Sequence, residues 1–209
     1  MSQLRIESLS YMGRPPVDFF INDGECISLS GPSGSGKSLL LRALADLDEY
    51  QGQIYLDQKE CHEFSAPQWR KQVGLLMAES CWWFDAVGDH FEFLENSKNI
   101  NGWLAQLDFN PDVMNWQVNR LSTGEKQRLA IIRLLANQPK ALLLDEPTAS
   151  LDKKNIGKVE DLLTEYRKEN SAPTIWVSHD PEQEKRIASR RYRIKGDLII
   201  EEGHDRSSQ

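Results

Sequence analysis

The run GPSGSGKS at residues 31–38 stands between an apolar stretch, ECISLS, and a second one, KSLLLRALADL, with helical character. A segment so poor in side chains can turn its backbone N–H groups inward onto phosphate oxygens, and the start of the following helix adds partial positive charge. Gly31, Gly36, Lys37 and Ser38 meet the pattern G-x-x-x-x-G-K-[ST]. Lys37 is expected to reach the β- and γ-phosphates and Ser38 to coordinate Mg²⁺. The nucleotide-binding stretch is read as Gly31, Pro32, Ser33, Gly34, Ser35, Gly36, Lys37, Ser38 and Leu39. A chance Gly/Ser turn can share these letters, but it has no reason to follow a buried strand and open a helix.

The rest of the chain fits that demand. LRIESLS through VDFFINDGECISLSG reads as short strands, and GQIYLDQKE (52–60) alternates like a hairpin arm. VGLLM (73–77) suits a buried strand. From about Val87 to Gln138 the pattern is helical, in AVGDHFEFLEN, INGWLAQLDF and GEKQRLAIIRLLANQ, the last with Leu129, Ile132, Leu135 and Ala136 on one face. Strand and helix then alternate: KALLLDE, a helix from DKKNIGKVEDLL capped by Asp152, the strand PTIWVS, and DPEQEKRIASRR with Asp180 at the N-cap and Pro181 at N1. RYRIKGDLIIEE closes as a hairpin around Lys195–Asp197, and the polar tail EEGHDRSSQ is read as frayed. The fold class is α/β: a P-loop NTPase core on a parallel sheet, with an antiparallel β subdomain and a small helical subdomain.

Charge and composition remove other classes. The 209 residues carry 25 basic and 32 acidic side chains, a net charge of −7, which disfavours a nucleic-acid backbone as ligand. No apolar run approaches a membrane span, and the first residues lack a signal-peptide core. Any work at a membrane is therefore expected to pass through a partner. Cys26, Cys61 and Cys81 lack metal-ligand spacing and read as free thiols of a reducing cytosol.

ALLLDE (141–146) supplies carboxylates to the phosphate loop. The strand end delivers Asp145 beside the phosphates as a metal partner, and Glu146 falls where it can polarise an attacking water. An acidic strand end that merely meets solvent is the plain alternative. In LSTGEKQR (121–128), Ser122 and the Gly124 N–H at a helix start form a second anion site.

Here the chain resembles the ATP-binding cassette (ABC) ATPases. LSTGE stands where that family's signature motif lies, ASLD (149–152) matches its D-loop through Asp152, and WVSHD matches its switch histidine through His179. The phosphate loop, signature, strand carboxylates, D-loop and histidine occur in the family's order across essentially the whole chain. The resemblance implies one nucleotide-binding domain over 1–209, with a helical subdomain at approximately 79–138. It implies a head-to-tail homodimer, each ATP held between one subunit's cradle and the other's Ser122, Thr123, Gly124 and Glu125. Glu146, His179 and Lys37 would be catalytic, and His179 would sense the γ-phosphate. The expected function is the ATP-hydrolysing subunit of a membrane transporter, peripheral on the cytoplasmic face and driving a separate integral membrane permease, with ATP and Mg²⁺ bound. Small cassettes with GEKQR and WVSHD are similar to subunits of exporters. A soluble ABC ATPase of DNA repair or translation is the alternative, but those members carry long insertions or two cassettes. A small-molecule kinase lacks the signature and the histidine.

The sequence departs from the family in places. The glutamine that usually follows the strand equivalent to VGLLM is Ala78, so either Glu79 supplies an oxygen to the metal or the metal keeps an extra water. Thr123 and Glu125 replace the commoner glycine and glutamine. Tyr11 is the candidate adenine-stacking ring, although the segment up to Gly24 is short, and Phe19 and Phe20 are expected in the core. Trp82, Trp83 and Phe84 fall where, in the family, a groove receives the permease's coupling helix. At least one tryptophan is expected to face that partner, since adjacent residues of an extended segment point opposite ways.

Overall fold

In the computed structural model, residues 3–92 and 99–202 are described. Two sheets and six α-helices make up the structure of these residues. The first strand, β1 (Leu4–Tyr11), buries Leu4 and Ile6, then Leu9 and Tyr11. That change of phase is a bulge between Ile6 and Leu9, where Ser8 takes a φ of 48°. β2 (Val17–Ile21) pairs antiparallel with β1. β3 (Cys26–Ser30) is buried at every position and leads into α1 (Lys37–Leu44). β4 (Tyr50–Leu56) and β5 (Lys59–Glu60) form a hairpin and complete an antiparallel sheet of order β2-β1-β4-β5.

α2 (Ala66–Gln72), absent from the sequence reading, is started by a capping box between Ser65 and Gln68. Its Trp69 is fully buried and donates its indole N–H to the Leu44 carbonyl at 2.9 Å, which satisfies an open end of α1. β6 (Val73–Leu76), α3 (Ile100–Gln106) and α4 (Thr123–Ala136) follow. The expected helix AVGDHFEFLEN contributes only a 3₁₀ turn at Gly88–His90, and 93–98 lie outside the described residues. β7 (Ala141–Asp145), α5 (Lys153–Glu169), β8 (Thr174–Val177), α6 (Pro181–Ile187), β9 (Arg190–Lys195) and β10 (Leu198–Glu202) complete the chain. Glu201 and Glu202, read both as the end of the closing hairpin and as the start of a frayed tail, belong to β10. Residues 203–209 lie outside the described residues.

The second sheet has the order β10-β9-β3-β8-β7-β6, parallel except for the edge strand β10. Its central strands β3, β8 and β7 are buried at every position because both faces are covered. Period-2 alternation divides them between two cores. Ile27, Leu143 and Ile175 face α1 and the antiparallel sheet, while Cys26, Leu142, Leu144 and Trp176 face α4 and α5. Leu129, Ile132, Leu135 and Ala136 are all buried on that second side. Phe19 is in the core as expected, but Phe20 is 46% exposed. It lies on the opposite face of β2 from Phe19 and carries the Arg190 guanidinium.

Candidate active site

The chain leaves β3, β7 and β8 at the same carboxyl edge of the parallel sheet, where open α/β sheets collect ligands. β8 lies between β3 and β7, so the segment after Val177 runs between the phosphate loop and the end of β7.

The loop 31–36 closes on Gly36, which begins α1 at a φ of 90°, a region L side chains rarely adopt. No side chain caps α1 and its first turn holds no acidic residue. The Lys37 ammonium donates to the Gly31 carbonyl at 2.9 Å and the Pro32 carbonyl at 3.1 Å, lying along the inside of the loop. Burial lowers its pKa, against the opposing charges of Glu146 and Asp145. The Ser38 hydroxyl donates to the Asp145 carboxylate. Burial holds the Asp145 carboxyl above its ordinary range, against that hydrogen bond, and the adjacent Glu146 charge adds to the rise.

Glu146 has a φ of 48°, a left-handed backbone costing about 1–2 kcal/mol for a non-glycine residue. The backbone N–H of Glu146 donates to the Val177 carbonyl at 3.2 Å, which pins it against β8. Its carboxylate lies 2.9 Å from His179 Nε2, so the structure brings these two residues together at the mouth of the cradle.

Behind this pair lies a buried polar cluster that the sequence reading missed. Gln183 donates to Thr148 Oγ1 at 2.9 Å and Glu160 Oε1 at 2.7 Å, and accepts from the Ser178 hydroxyl at 2.8 Å. Arg186 completes it with two hydrogen bonds to the Glu160 carboxylate. Thr148 is two residues from Glu146, and Ser178 precedes His179, so Gln183 ties together the loops that carry Glu146 and His179. Nothing in α6 as a sequence marks one glutamine as buried.

Ser122 caps α4. Its hydroxyl and N–H both donate to the Glu125 carboxylate, at 2.7 and 2.8 Å, which holds that carboxyl below its usual range. The turn approaches the D-loop closely: a Cβ on Gly124 would stand 3.2 Å from the Ser150 carbonyl oxygen. Ser122 and Thr123 are exposed. Asp152 caps α5, accepting from the Asn155 N–H at 2.9 Å.

Tyr11 is buried, at 3% exposure, and no hydrogen-bond partner reaches its hydroxyl. The bulge at Ser8 sets Tyr11 on the inward face of β1, so its ring offers no open face to a base. Glu79 is exposed and lines a cavity of about 280 Å³ with Arg70, Met77, Cys81 and Arg133.

Beside that cavity Trp82, Trp83 and Phe84 surround His90, with ring centroids 4.7, 4.8 and 5.1 Å from the imidazole. His90 Nε2 accepts the backbone N–H groups of Trp83 (3.0 Å) and Phe84 (3.1 Å), and Nδ1 donates to the Ala86 carbonyl (3.0 Å), which requires a neutral ring. Burial lowers the His90 pKa, in accord with that role. The Arg133 guanidinium packs on both indoles, 4.6 Å from the Trp82 centroid and 4.7 Å from that of Trp83. Trp82 packs against the core, whereas Trp83 is 62% and Phe84 41% exposed. This backbone is thus bent around a buried imidazole, and it turns two of three rings outward.

The chain is similar to known proteins in sequence and fold. The family model described as ABC transporter matches residues 15–149. The lipoprotein-releasing system ATP-binding protein LolD of Legionella pneumophila (strain Paris) is 35% identical over 204 residues, covering 90% of this chain and 86% of that protein. Protein STAR1 of rice (Oryza sativa subsp. japonica) is 34% identical over 180 residues, covering 82% of this chain, and the chain spans only 52% of its length. Among solved structures, the dimeric post-hydrolysis state of the ATP-binding cassette MJ0796 bound to ADP and Pi superposes with a TM-score of 0.79 at 26% identity. That superposition covers 95% of this chain and 97% of the other. With the family model spanning more than half of the sequence and the strand-edge constellation in place, the chain belongs to the ABC transporter family as an ATP-binding cassette ATPase, an enzyme that binds and hydrolyses ATP.

Proposed function

We propose that the protein works as a head-to-tail homodimer that drives a separate integral membrane permease from the cytoplasmic face of the membrane. The observation that carries this reading is the separation of two half-sites. The cradle lies at the carboxyl edge of β3, whereas Ser122 and Thr123 stand exposed at the start of α4. A second copy related by a two-fold axis supplies each cradle with the signature it lacks. Among the described residues no helix is long and apolar enough to cross a membrane. Residues 1–209 are read as one nucleotide-binding domain with a helical subdomain at approximately 79–138.

In the catalytic step, Lys37 turns from the Gly31 and Pro32 carbonyls to the phosphates, and Glu146 accepts a proton from the attacking water. His179 holds the Glu146 carboxylate in place and reports the γ-phosphate. Ser122 exchanges its bond to Glu125 for the phosphate of the partner's ATP. Ser38 and Asp145 fit Mg²⁺: a hydroxyl and a buried carboxylate already meet at the loop exit, and few protein ligands are needed where phosphates share the ion. When bound, the ion would neutralise developing phosphate charge. The position of Glu79 in the cavity beside Arg70 and Arg133 favours an extra water on the metal over a carboxylate ligand.

Trp83 and Phe84, with the adjoining cavity, are assigned to the permease's coupling helix. Exposed aromatic rings beside a cleft that mixes Leu75, Met77 and Leu134 with Arg70, Glu79 and Arg133 are strong anchors for an amphipathic helix. Glu146→Gln tests the catalytic assignment: it should abolish phosphate release and accumulate an ATP-bound dimer visible by light scattering, and unchanged release would remove Glu146 from its role. A mild-detergent pull-down from native membranes tests the partnership, with recovery of a polytopic membrane protein expected.

A further inference from the structure

Arg14 occupies a position the catalytic description leaves unexplained. Tyr11 through Arg14 make a tight turn, with Met12 at φ 52°, Gly13 at φ 70° and the Arg14 N–H donating to the Tyr11 carbonyl at 3.0 Å. The Ser10 hydroxyl locks the turn by donating to the Arg14 carbonyl at 2.6 Å. The turn buries Tyr11 and sends the Arg14 side chain onto the phosphate loop. A Cβ built on Gly36 would meet Arg14 Nε, Cζ and Nη2, each at 3.1 Å, so the guanidinium lies flat over the last glycine of the cradle. Gly36 is thus constrained twice, by its φ and by this approach.

Electrostatics makes the placement informative. The guanidinium sits at the positive end of α1, which has no side-chain cap and no acidic residue in its first turn, with the Lys37 ammonium one residue on. A cation there is unfavourable on its own. Its counter-charge is slight: Asp197, on the β9–β10 turn, stands 3.8 Å away and is 72% exposed at the side chain, and the Gly196 carbonyl accepts from Nη1 at 3.1 Å. Two cations and an uncapped helix start converge on one loop, and a polyanion is what balances them.

We propose that Arg14 is a nucleotide-binding residue whose guanidinium pairs with the phosphate chain of bound ATP, making a third cationic element of the cradle beside Lys37 and the α1 N-terminus. The inference rests on the ATP-binding reading of the site. It gives the nucleotide-facing role on the β1–β2 turn to a cation in place of the buried Tyr11.

The test is calorimetric titration of the full chain with Mg-ATP and, separately, with inorganic tripolyphosphate, for wild type, Arg14→Gln, Arg14→Lys and Asp197→Asn. Arg14→Gln should weaken both ligands by the same factor, about 10- to 100-fold, the worth of a hydrogen bond to a charged group. Arg14→Lys should recover most of the loss, and Asp197→Asn should bind at least as well as wild type. Thermal melts of each variant identify any that fails to fold, and Asp197→Asn then still tests the charge balance from the other side. Loss of affinity for ATP with tripolyphosphate unchanged would move the contact to the base or sugar and overturn the phosphate assignment. No change for either ligand would reduce Arg14 to an anchor of the C-terminal hairpin. Failure of wild type to bind ATP would instead overturn the underlying reading.

Discussion

Gln183→Leu is the most demanding test of how the loops carrying Glu146 and His179 are held. Gln183 is 4% exposed, and its amide spans three elements by bonding Thr148, Glu160 and Ser178. Leucine fills a similar volume but leaves the Thr148 and Ser178 hydroxyls, both buried, without this partner. Ser178 Oγ still accepts from the Asp180 N–H at 3.0 Å, and Glu160 keeps its Arg186 fork, so neither charge is orphaned. Each buried polar group left short costs about 1–3 kcal/mol, and the added apolar burial returns part of it. A net loss of about 2–4 kcal/mol follows, and for a chain this long each kcal/mol moves Tm by about 2–4 °C. Thermal melts followed by tryptophan fluorescence should therefore fall by about 5–15 °C. Steady-state ATPase assays on the folded variant should show reduced kcat with little change in KM, because Glu146 and His179 lose their common support while the cradle is untouched. Adding Thr148→Ala should restore part of the lost Tm, since Thr148 Oγ1 bonds Gln183 and its orphaned hydroxyl is then gone. A Tm drop below about 2 °C would show that the cluster is not a tightly satisfied network, and the reasoning would fail.

His90 gives a pH prediction. Its folded pKa lies below the ordinary value near 6.5 because of burial, with Arg133 adding to the shift and the Ala86 hydrogen bond and Asp89 opposing it. Its contribution to stability is therefore full above about pH 6.5 and is lost as pH falls through the lowered folded value. Between pH 7.5 and 5.5, wild type should lose more Tm than His90→Gln, and equal losses would contradict the neutral-ring assignment. Trp83→Ala should shift Tm by no more than about 2 °C, since the ring is mostly exposed, yet reduce recovery of the permease in the membrane pull-down. Undiminished recovery would remove Trp83 from the docking surface.

The parts of this protein legible in its sequence are those made by neighbours along the chain. GPSGSGKS needs only its own glycines, the strand before it and the helix after it to be a phosphate cradle. The caps at Asp152 and Asp180 are bonds of a residue to an N–H three and two positions on, so each is readable in place. The apolar strands 141–145 and 174–177 announced a sheet covered on both faces. Tertiary structure decided what depends on residues far apart. One bulged residue in β1 turned Tyr11 inward, and the turn after it carried Arg14 across to Gly36 and to the hairpin at Gly196. α2 is short and weakly patterned, and it exists because Trp69 finds the end of α1. The Gln183 cluster joins positions up to 35 apart, and a glutamine on a helix carries no local sign of burial. Backbone hydrogen bonds and glycine sterics act over a few residues and leave a pattern in the letters. Burial, charge balance and ring stacking act through space, and only the folded chain sets who meets whom.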